Sequence, residues 1–306
     1  SPILAAKKCD VPVIVTLHDF HMVCPKTWMI YRDKQPCKYG FGWKCVISNC
    51  YTQKMGIINF PYHWLKWLKV SLHRFLIKKY VDHFICPSKI LTYWAKKNLK
   101  TDNSNYISNF ADIKINKIQK INEGNTQFLF IGRLSKEKGI DILIKAVKLV
   151  KEKFPDIEVK IIGDGPEKED LENLTKRLNI QNNIKFLGKI SNEKVPKHYQ
   201  ESLAVIIPSI LVENCPLVAL EAMKSKKPII ATDVGGFSEI IEQGKNGYLF
   251  EIYNYRKLAE YIKKLYGNRE LSTKLGNYGF MKLKKEFDKE KHYKKLETVY
   301  NTLTEN

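Results

Sequence analysis

Strand-type and helix-type segments alternate strictly over the second half of this chain. The apolar strand-type segments read Q-F-L-F-I, I-E-V-K-I-I, I-K-F-L-G, A-V-I-I-P-S and P-I-I-A. Between them apolar residues recur with a helical period, as in the segment from Gly139 to Lys153. Short turns rich in glycine and proline join the segments. This alternation predicts an α/β fold with a doubly wound parallel sheet, that is, a Rossmann-like domain.

The first part of the chain follows a less regular pattern. The segment V-P-V-I-V-T-L predicts a strand that ends at His18, and a long amphipathic helix is predicted at about Pro61 to Tyr80. With the strand H-F-I-C-P-S, these elements are too few for a complete doubly wound domain, so we expect this domain to be truncated. We predict that it covers residues 1–118, and that a polar, lysine-rich linker leads to a second domain over residues 119–287.

The chain is strongly basic. Its 306 residues include 52 Lys and Arg against 32 Asp and Glu, which gives a formal net charge of +20. Such a balance favours a polyanionic neighbour, for example nucleic acid, an anionic membrane surface or a phosphorylated substrate. Lysines that only solvate helices would give the same balance. No apolar run is long enough to span a bilayer and the start is not a signal peptide, so we expect a cytoplasmic protein.

Four cysteines cluster in the loop before the long helix: Cys24, Cys37, Cys45 and Cys50. A closed zinc site prefers four soft ligands in closely spaced pairs, and only Cys45 and Cys50 approach that spacing. A structural zinc site, reduced thiols and disulfides therefore all remain open.

Two glutamates with seven residues between them, Glu213 and Glu221, flank the end of a loop that follows a predicted strand. Glu213 falls in the loop and Glu221 in the next predicted helix. Carboxylates just past the carboxyl end of a parallel strand lie where open α/β sheets bind ligands. Each one alone is equally well explained as a solvated side chain. Glu221, however, lies in the apolar run L-V-A-L-E-A-M, and a buried carboxylate needs hydrogen-bonding partners.

The segment F-I-G-R-L-S-K-E-K-G follows the first strand of the second domain. Gly132 allows close approach to a ligand, and Arg133 and Lys138 are cations that flank the turn. Free N–H groups at the start of a helix favour phosphate, and a departing diphosphate needs cations because charge builds on its oxygen. Alone, the segment is weak support for a diphosphate site, because Arg133 could equally be a surface residue. Its order before G-D-G-P and the two glutamates strengthens that interpretation.

The helix at Pro61–Tyr80 has an apolar face and a basic remainder. Its apolar face comprises Trp64, Leu65, Leu68, Leu72, Phe75 and Leu76, and its cations include Lys66, Lys69, Arg74, Lys78 and Lys79. Tryptophan beside lysine fits an interfacial helix on an anionic membrane, and a domain helix with its stripe in the core fits equally well. No recognition motif supports RNA binding, so we predict no nucleic-acid partner.

These strings together resemble the retaining glycosyltransferases of family 4, which have the GT-B fold. The matching strings are F-I-G-R-L-S-K-E-K-G, I-I-G-D-G-P, I-K-F-L-G, P-S-I-L-V-E-N-C-P-L-V-A-L-E-A-M and G-G-F-S-E-I-I. The resemblance implies two Rossmann-like domains facing a cleft, the first truncated here, and a helix at 288–306 that crosses back to the first domain. It also implies an enzyme that transfers a sugar from a UDP- or GDP-sugar to a saccharide or lipid-linked acceptor in cell-surface polysaccharide or glycolipid synthesis. Neither a cofactor nor a catalytic metal is expected.

The resemblance assigns roles to individual residues. Arg133 and Lys138 would hold the donor diphosphate, Glu213 the hydroxyls of the donor sugar and Glu221 those of the ribose. His18 would face the donor sugar as the remaining catalytic residue. The donor pocket would further include Gly132, Gly163, Gly165, Phe186, Gly188, Asn214, Cys215 and Leu217.

Two features of the sequence depart from the family pattern. Asn214, Cys215 and Pro216 replace a common Gly-Phe-Gly, and Lys226 stands where glycine is usual. Pro216 has no N–H to offer a ligand.

Two other functions fit parts of the sequence. A GT-B nucleotide-sugar 2-epimerase would need other acid and base residues. A catalytically weak nucleotide-sugar-binding protein would result if the truncation removed the acceptor side. Peripheral attachment to the cytoplasmic face of a membrane is compatible with each of these functions.

Overall fold

The computed structural model describes residues 2–24, 29–31, 35–42, 44–45, 60–112 and 127–304. The chain divides into two compact units. Unit 1 comprises Ser1–Asn109, Leu211–Cys215 and Glu290–Asn306, and unit 2 comprises Phe110–Ile210 and Pro216–Lys289. The domain boundary predicted at residues 118/119 lies outside the described residues.

The described strands, in chain order, are β1 (Ile14–Thr16), β2 (Ile30–Tyr31), β3 (Gln35–Pro36), β4 (His83–Cys86), β5 (Ser104–Tyr106), β6 (Gln127–Ile131), β7 (Glu158–Ile162), β8 (Ile184–Gly188), β9 (Ala204–Ile207), β10 (Ile229–Thr232) and β11 (Gly247–Phe250). The described α-helices of at least four residues are α1 (Pro2–Lys8), α2 (Phe60–Tyr80), α3 (Lys89–Ala95), α4 (Ile140–Lys151), α5 (Lys168–Arg177), α6 (Val195–Glu201), α7 (Leu217–Lys224), α8 (Phe237–Ile240), α9 (Tyr255–Tyr266), α10 (Arg269–Glu286) and α11 (Lys289–Thr304).

Unit 1 is built on a three-stranded parallel sheet in the order β1-β4-β5. Its core gathers apolar side chains from β1, from the segment that follows it, from β4 and from α3; Phe20, Phe84 and Leu91 are among the most buried. Helix α11 contributes Val299, which clusters with Ile85 of β4. Unit 1 thus includes the segment for which the resemblance predicts a return to the first domain.

Unit 2 contains a six-stranded, fully parallel sheet in the order β11-β10-β9-β6-β7-β8. Successive strands extend to one side of β6 as far as β8, and the chain then returns to β9 and extends to the other side. This reversal places a topological switch point at β6 and β9, where open α/β sheets bind ligands beyond the carboxyl ends of their strands. The predicted doubly wound parallel sheet is confirmed.

The core of unit 2 follows directly from its hydrophobic pattern. Strand β9 is buried along its whole length, as a strand covered on both faces requires. Helix α4 buries Ile140, Leu143, Ile144 and Val147, which repeat with the helical period. The carboxyl-terminal residues form α9, α10 and α11 in succession, and Asn268 marks the start of α10. The Asn268 side chain accepts a hydrogen bond from the first turn of α10 and caps that helix.

Helix α2 begins one residue earlier than predicted and ends at the predicted residue. Leu65, Leu68, Leu72 and Phe75 on its apolar face are between 50% and 63% exposed. Its buried residues include Val70 on another face of the helix. The alternative in which the stripe forms a core is therefore wrong for these four side chains. Among the described helices, none is long and apolar enough to cross a membrane.

Candidate donor-binding site

The loops that follow β6 and β7 are joined backbone to backbone. The Gly132 N–H donates to the Ile162 carbonyl at 3.0 Å, and the Leu134 N–H donates to the Asp164 carbonyl at 3.0 Å. A Cβ on Gly163 would lie 1.8 Å from the Gly132 oxygen. Gly163 also has a φ of 138°, which side chains disfavour. The glycine is therefore required by the approach of the two loops.

A cavity of about 790 Å³ opens where these loops end, and we call it the glycine cavity. Its lining includes Gly132, Arg133, Gly163, Gly165, Lys189 and Asn192. Four of these were predicted from the sequence, and the structure brings them together. Arg133 and Lys189 both line the cavity, so two cations lie there at the carboxyl ends of parallel strands, together with the carboxylate of Asp164.

Lys138, Phe186 and Gly188 line neither of the two cavities described here. Lys138 lies half-buried in a 3₁₀ turn that ends at Gly139, where φ is 65° and a Cβ would lie 2.1 Å from a backbone oxygen. The Gly188 carbonyl accepts a hydrogen bond from the Gly163 N–H at 2.9 Å, so Gly188 helps to hold the loop after β7 in place. The predicted roles of these three residues stay predictions.

Glu221 projects from α7 and is held by a buried tyrosine. The Tyr199 hydroxyl of α6 donates to Glu221 Oε2 at 2.7 Å, and the Tyr199 side chain is fully buried. Burial raises the pKa of the Glu221 carboxyl, and the hydrogen bond from Tyr199 opposes that rise. The pKa of Tyr199 is itself well above its usual value, chiefly through burial, so Tyr199 stays a donor at physiological pH.

A second cavity, of about 850 Å³, has Glu221 in its wall, and we call it the glutamate cavity. The predicted residue Leu217 also lines it. The two cavities share Ile131, Asn192 and Val195. They lie beside the switch point of the sheet, because Ile131 is the last residue of β6.

Four predicted site residues belong to unit 1: His18, Glu213, Asn214 and Cys215. His18 is exposed just beyond β1, and Glu213 is half-buried in the segment before α7, as the sequence predicted. Asn214 is buried, and its side-chain Nδ2 donates to the His18 carbonyl at 3.1 Å. Cys215 is half-buried, and Pro216 occupies the N-cap position of α7 without a side-chain capping bond.

The cysteine cluster is only partly described. Cys24 and Cys45 are buried and Cys37 is half-buried, whereas Cys50 lies outside the described residues. The Cys45 thiol donates to the Gly40 carbonyl at 3.5 Å. In the described part of the chain, no group of three or more His, Cys, Asp or Glu is arranged to hold a metal ion.

The family profile of Glycosyl transferases group 1 matches residues 112–282, more than half of the chain. The chain belongs to this family. It is 36% identical over 228 residues to an uncharacterized glycosyltransferase of Methanocaldococcus jannaschii, a match that covers 73% of this chain and 60% of the relative.

Two solved structures resemble this group 1 glycosyl transferase. TarM of S. aureus, in complex with Fondaparinux, alpha-GlcNAc-glycerol and UDP, gives a TM-score of 0.67 at 25% identity over 76% of this chain and 46% of TarM. HepE of Anabaena, in complex with UDP, gives 0.75 at 20% identity over 98% of this chain and 75% of HepE. These likenesses confirm the predicted GT-B fold class. The chain spans about 60% or less of the length of the curated relatives.

Sequence reasoning missed two residues of this candidate site. Lys189 directly follows β8, so the rule that ligands bind beyond the carboxyl ends of strands could have found it. Tyr199 gave no such signal. It lies on a short helix and meets Glu221 from 22 residues away, and only the tertiary fold brings the two together.

Proposed function

We propose that this group 1 glycosyl transferase moves a sugar, with retention of configuration, from a UDP-sugar to a saccharide or lipid-linked acceptor. The product would belong to a cell-surface polysaccharide or glycolipid. The observation that carries the proposal is that Glu221, in the wall of the glutamate cavity, accepts a hydrogen bond from the buried Tyr199. A carboxylate held in this way presents an acceptor for a diol such as that of ribose, beside a cavity that offers cations for phosphate.

The residues of unit 2 are assigned to the nucleotide. Glu221 would accept hydrogen bonds from the ribose hydroxyls. Arg133 and Lys138 would stabilise the charge that develops on the departing diphosphate. Lys189 lines the same cavity as Arg133 and would add a further cation. The UDP bound to TarM supports uracil as the base.

The residues of unit 1 are assigned to the sugar. Glu213 would accept hydrogen bonds from its hydroxyls, and His18 would position it. In a transfer with retention the bond from the anomeric carbon to the diphosphate oxygen breaks as the acceptor oxygen attacks the same face. The acceptor proton passes to the leaving phosphate oxygen, so no separate general base is required.

Titration calorimetry with UDP and GDP tests the nucleotide assignment. Glu221→Ala and Arg133→Ala should each weaken UDP binding by about 10-fold or more, the effect of losing about 1.4 kcal/mol. Glu260→Ala and Arg177→Ala are matched controls, because both residues are exposed on other helices of unit 2. If neither nucleotide binds the protein, the assignment is refuted.

Product analysis separates the alternatives. Incubation with UDP-glucose and UDP-N-acetylglucosamine in the presence of saccharide acceptors should release UDP and extend the acceptor. Conversion of the donor to its C2 epimer would instead favour the epimerase. Tight UDP binding without turnover would favour a nucleotide-sugar-binding protein.

The proposal extends to peripheral contact with an anionic membrane. Four large apolar side chains of α2 are at least half exposed, and the sequence of α2 contains no acidic residue. Leu65→Ser with Leu72→Ser should lower co-sedimentation with phosphatidylglycerol vesicles. The control Met281→Ser removes an equally exposed apolar side chain of unit 2 and should have no effect. Equal losses in both variants would refute membrane contact by α2.

A further inference from the structure

The segment Leu211–Cys215 folds with unit 1, although the chain on both sides of it belongs to unit 2. Val212 is 5% exposed and packs in the core of unit 1 with Leu17 and Phe20. The adjacent Glu213 therefore has its backbone anchored to the same core as the end of β1. That end carries His18.

The side chain of Asn214 makes this anchorage specific. Its Nδ2 donates to the Leu17 carbonyl at 3.3 Å and to the His18 carbonyl at 3.1 Å. Its Oδ1 accepts a hydrogen bond from the Ser88 hydroxyl. Asn214 is only 8% exposed, and a buried amide needs hydrogen-bond partners within the protein. These three bonds supply them.

Ser88 fixes which way the amide points. Its Oγ caps α3 by accepting from the Leu91 N–H at 3.1 Å, which leaves the hydroxyl proton for Asn214 Oδ1. A flipped amide would direct its oxygen at two carbonyl oxygens. The network therefore determines the orientation of the Asn214 amide.

The bonds from Asn214 begin where the sheet stops. The Leu17 N–H still donates to the Ile85 carbonyl of β4 at 2.8 Å. Beyond this bond, the carbonyls of Leu17 and His18 are held by Asn214, a residue almost 200 positions along the chain. The backbone of His18 and the backbone of Glu213 are thus fixed by one side chain.

We propose that Asn214 is a positioning residue that holds His18 and Glu213 in a fixed relation to each other. The inference rests on the proposed function and deepens it. The resemblance placed backbone groups around Asn214 in the donor pocket, and the Asn214 side chain is engaged within unit 1 with the carbonyls of Leu17 and His18 and the hydroxyl of Ser88. Its effect on the reaction passes through the two residues that it positions.

A double-mutant cycle tests this role. Turnover of the UDP-sugar that the protein hydrolyses or transfers fastest is measured for Asn214→Ala, His18→Ala and the double variant. Asn214→Ala alone should lower kcat about 10- to 100-fold, because a small misplacement of catalytic groups has effects of this size. In the His18→Ala background the same change should cost less than about 3-fold. The Kd for UDP should stay unchanged.

Asn246→Ala is the matched control. Asn246 is also a buried amide that bridges backbone groups, since it donates to the Ile240 carbonyl and accepts from the Glu242 N–H, but it lies in unit 2. Its substitution should change kcat by the same factor in both His18 backgrounds. If Asn214→Ala behaves like this control, with effects that multiply, Asn214 has only a structural role and the proposal is overturned.

Hydrogen exchange gives a readout that needs no turnover. In Asn214→Ala, protection should fall together at residues 18–21 and 213–215 and remain at α3. Unchanged protection at residues 18–21 would overturn the proposal, whether or not the protein is active. Failure of the unsubstituted protein to bind UDP would instead refute the proposed function, so the two failures are distinguishable.

Discussion

The hydroxyl of Tyr199 can be removed with almost no other change to the molecule. Tyr199 is fully buried, and its hydroxyl donates to Glu221 Oε2 at 2.7 Å. Tyr199→Phe keeps the ring and leaves the carboxylate without this donor. Deleting the donor is costly to the extent that the remaining carboxylate is shielded from water, and Glu221 is half-buried.

The expected magnitude follows from the charge of the acceptor. A hydrogen bond to an ionised group contributes about 1.5–3 kcal/mol to the free energy of unfolding. For a domain of 150–250 residues, each kcal/mol lost from the free energy of unfolding lowers the melting temperature by about 2–4 °C. Tyr199→Phe should therefore lower the melting temperature by roughly 3–12 °C at pH 8.

The loss should depend on pH in a defined direction. Burial raises the folded-state pKa of Glu221 above its usual value, and the Tyr199 bond lowers it. A carboxyl with a raised folded pKa destabilises the fold while it is ionised, and this cost is relieved as the pH falls through that pKa. The difference between Tyr199→Phe and the unsubstituted protein should therefore be largest at pH 8 and shrink in acid.

Binding supplies the second readout. If Glu221 receives the ribose, Tyr199→Phe should weaken UDP binding by about 10-fold, which corresponds to about 1.4 kcal/mol. Binding of an analogue that lacks the ribose hydroxyls should change little. The matched control is Tyr261→Phe, which removes a hydroxyl that bonds to exposed Gln243. Equal stability of Tyr199→Phe and the unsubstituted protein at pH 8, or equal loss of affinity for UDP and the analogue, would refute this reasoning.

Three further predictions concern unit 2. Glu221→Gln keeps an acceptor for Tyr199 but removes the charge from a partly buried position. Thermal melts should therefore show a higher melting temperature at pH values above the raised pKa, and calorimetry should show weaker UDP binding. A lower melting temperature at pH 8 would contradict this prediction. Gly276→Ala would place a Cβ 2.0 Å from a backbone oxygen of the turn after α7 and should cost about 1–3 kcal/mol in urea unfolding. Its control Gly279→Ala, on the same helix with a nearest contact of 3.4 Å, should be neutral or stabilising by up to about 1 kcal/mol, and equal costs would show that the close approach is unimportant. Glu242→Gln should lower the melting temperature at pH 7, because hydrogen bonds from Lys282 and a neighbouring lysine lower the pKa of Glu242 to about 2. The stability that the ionised carboxylate contributes is present above the ordinary carboxyl pKa and is lost as the pH falls through about 2. The melting temperatures of the variant and of the unsubstituted protein should therefore converge in acid.

The sequence predicted the elements of unit 2 well because each element is buried in a regular way. Strand β9 reads as a continuous apolar run since both of its faces are covered, and α4 reads as an amphipathic helix. Their strict alternation leaves few topologies apart from a parallel sheet. Glu221 was also flagged correctly as a carboxylate that needs a partner, because an acidic residue inside an apolar run signals burial.

The partners themselves were not predictable, since long-range contacts leave no periodic trace in the sequence. Tyr199 reaches Glu221 across 22 residues, and Asn214 reaches His18 across 196. Gly132 was predicted to allow close approach to a ligand, and that stays a prediction. The close approach of Gly163 to the backbone of the neighbouring loop was not predicted. For α2, periodicity identified an apolar face, but the pattern alone could not distinguish a buried face from an exposed one.

The seven-residue interval between Glu213 and Glu221 can now be explained in physical terms. Glu213 lies between two buried anchors of unit 1, Val212 and Asn214, so its position is set by that core. Pro216 occupies the N-cap position of α7, and Glu221 is the fifth residue of this helix, on the side that meets Tyr199. One residue more or less within the helix before Glu221 would turn its side chain by about 100° away from the tyrosine hydroxyl. The interval thus has one part fixed by the packing of unit 1 and another fixed by the helical phase of α7, which explains why neither carboxylate can shift along the chain independently of its anchor.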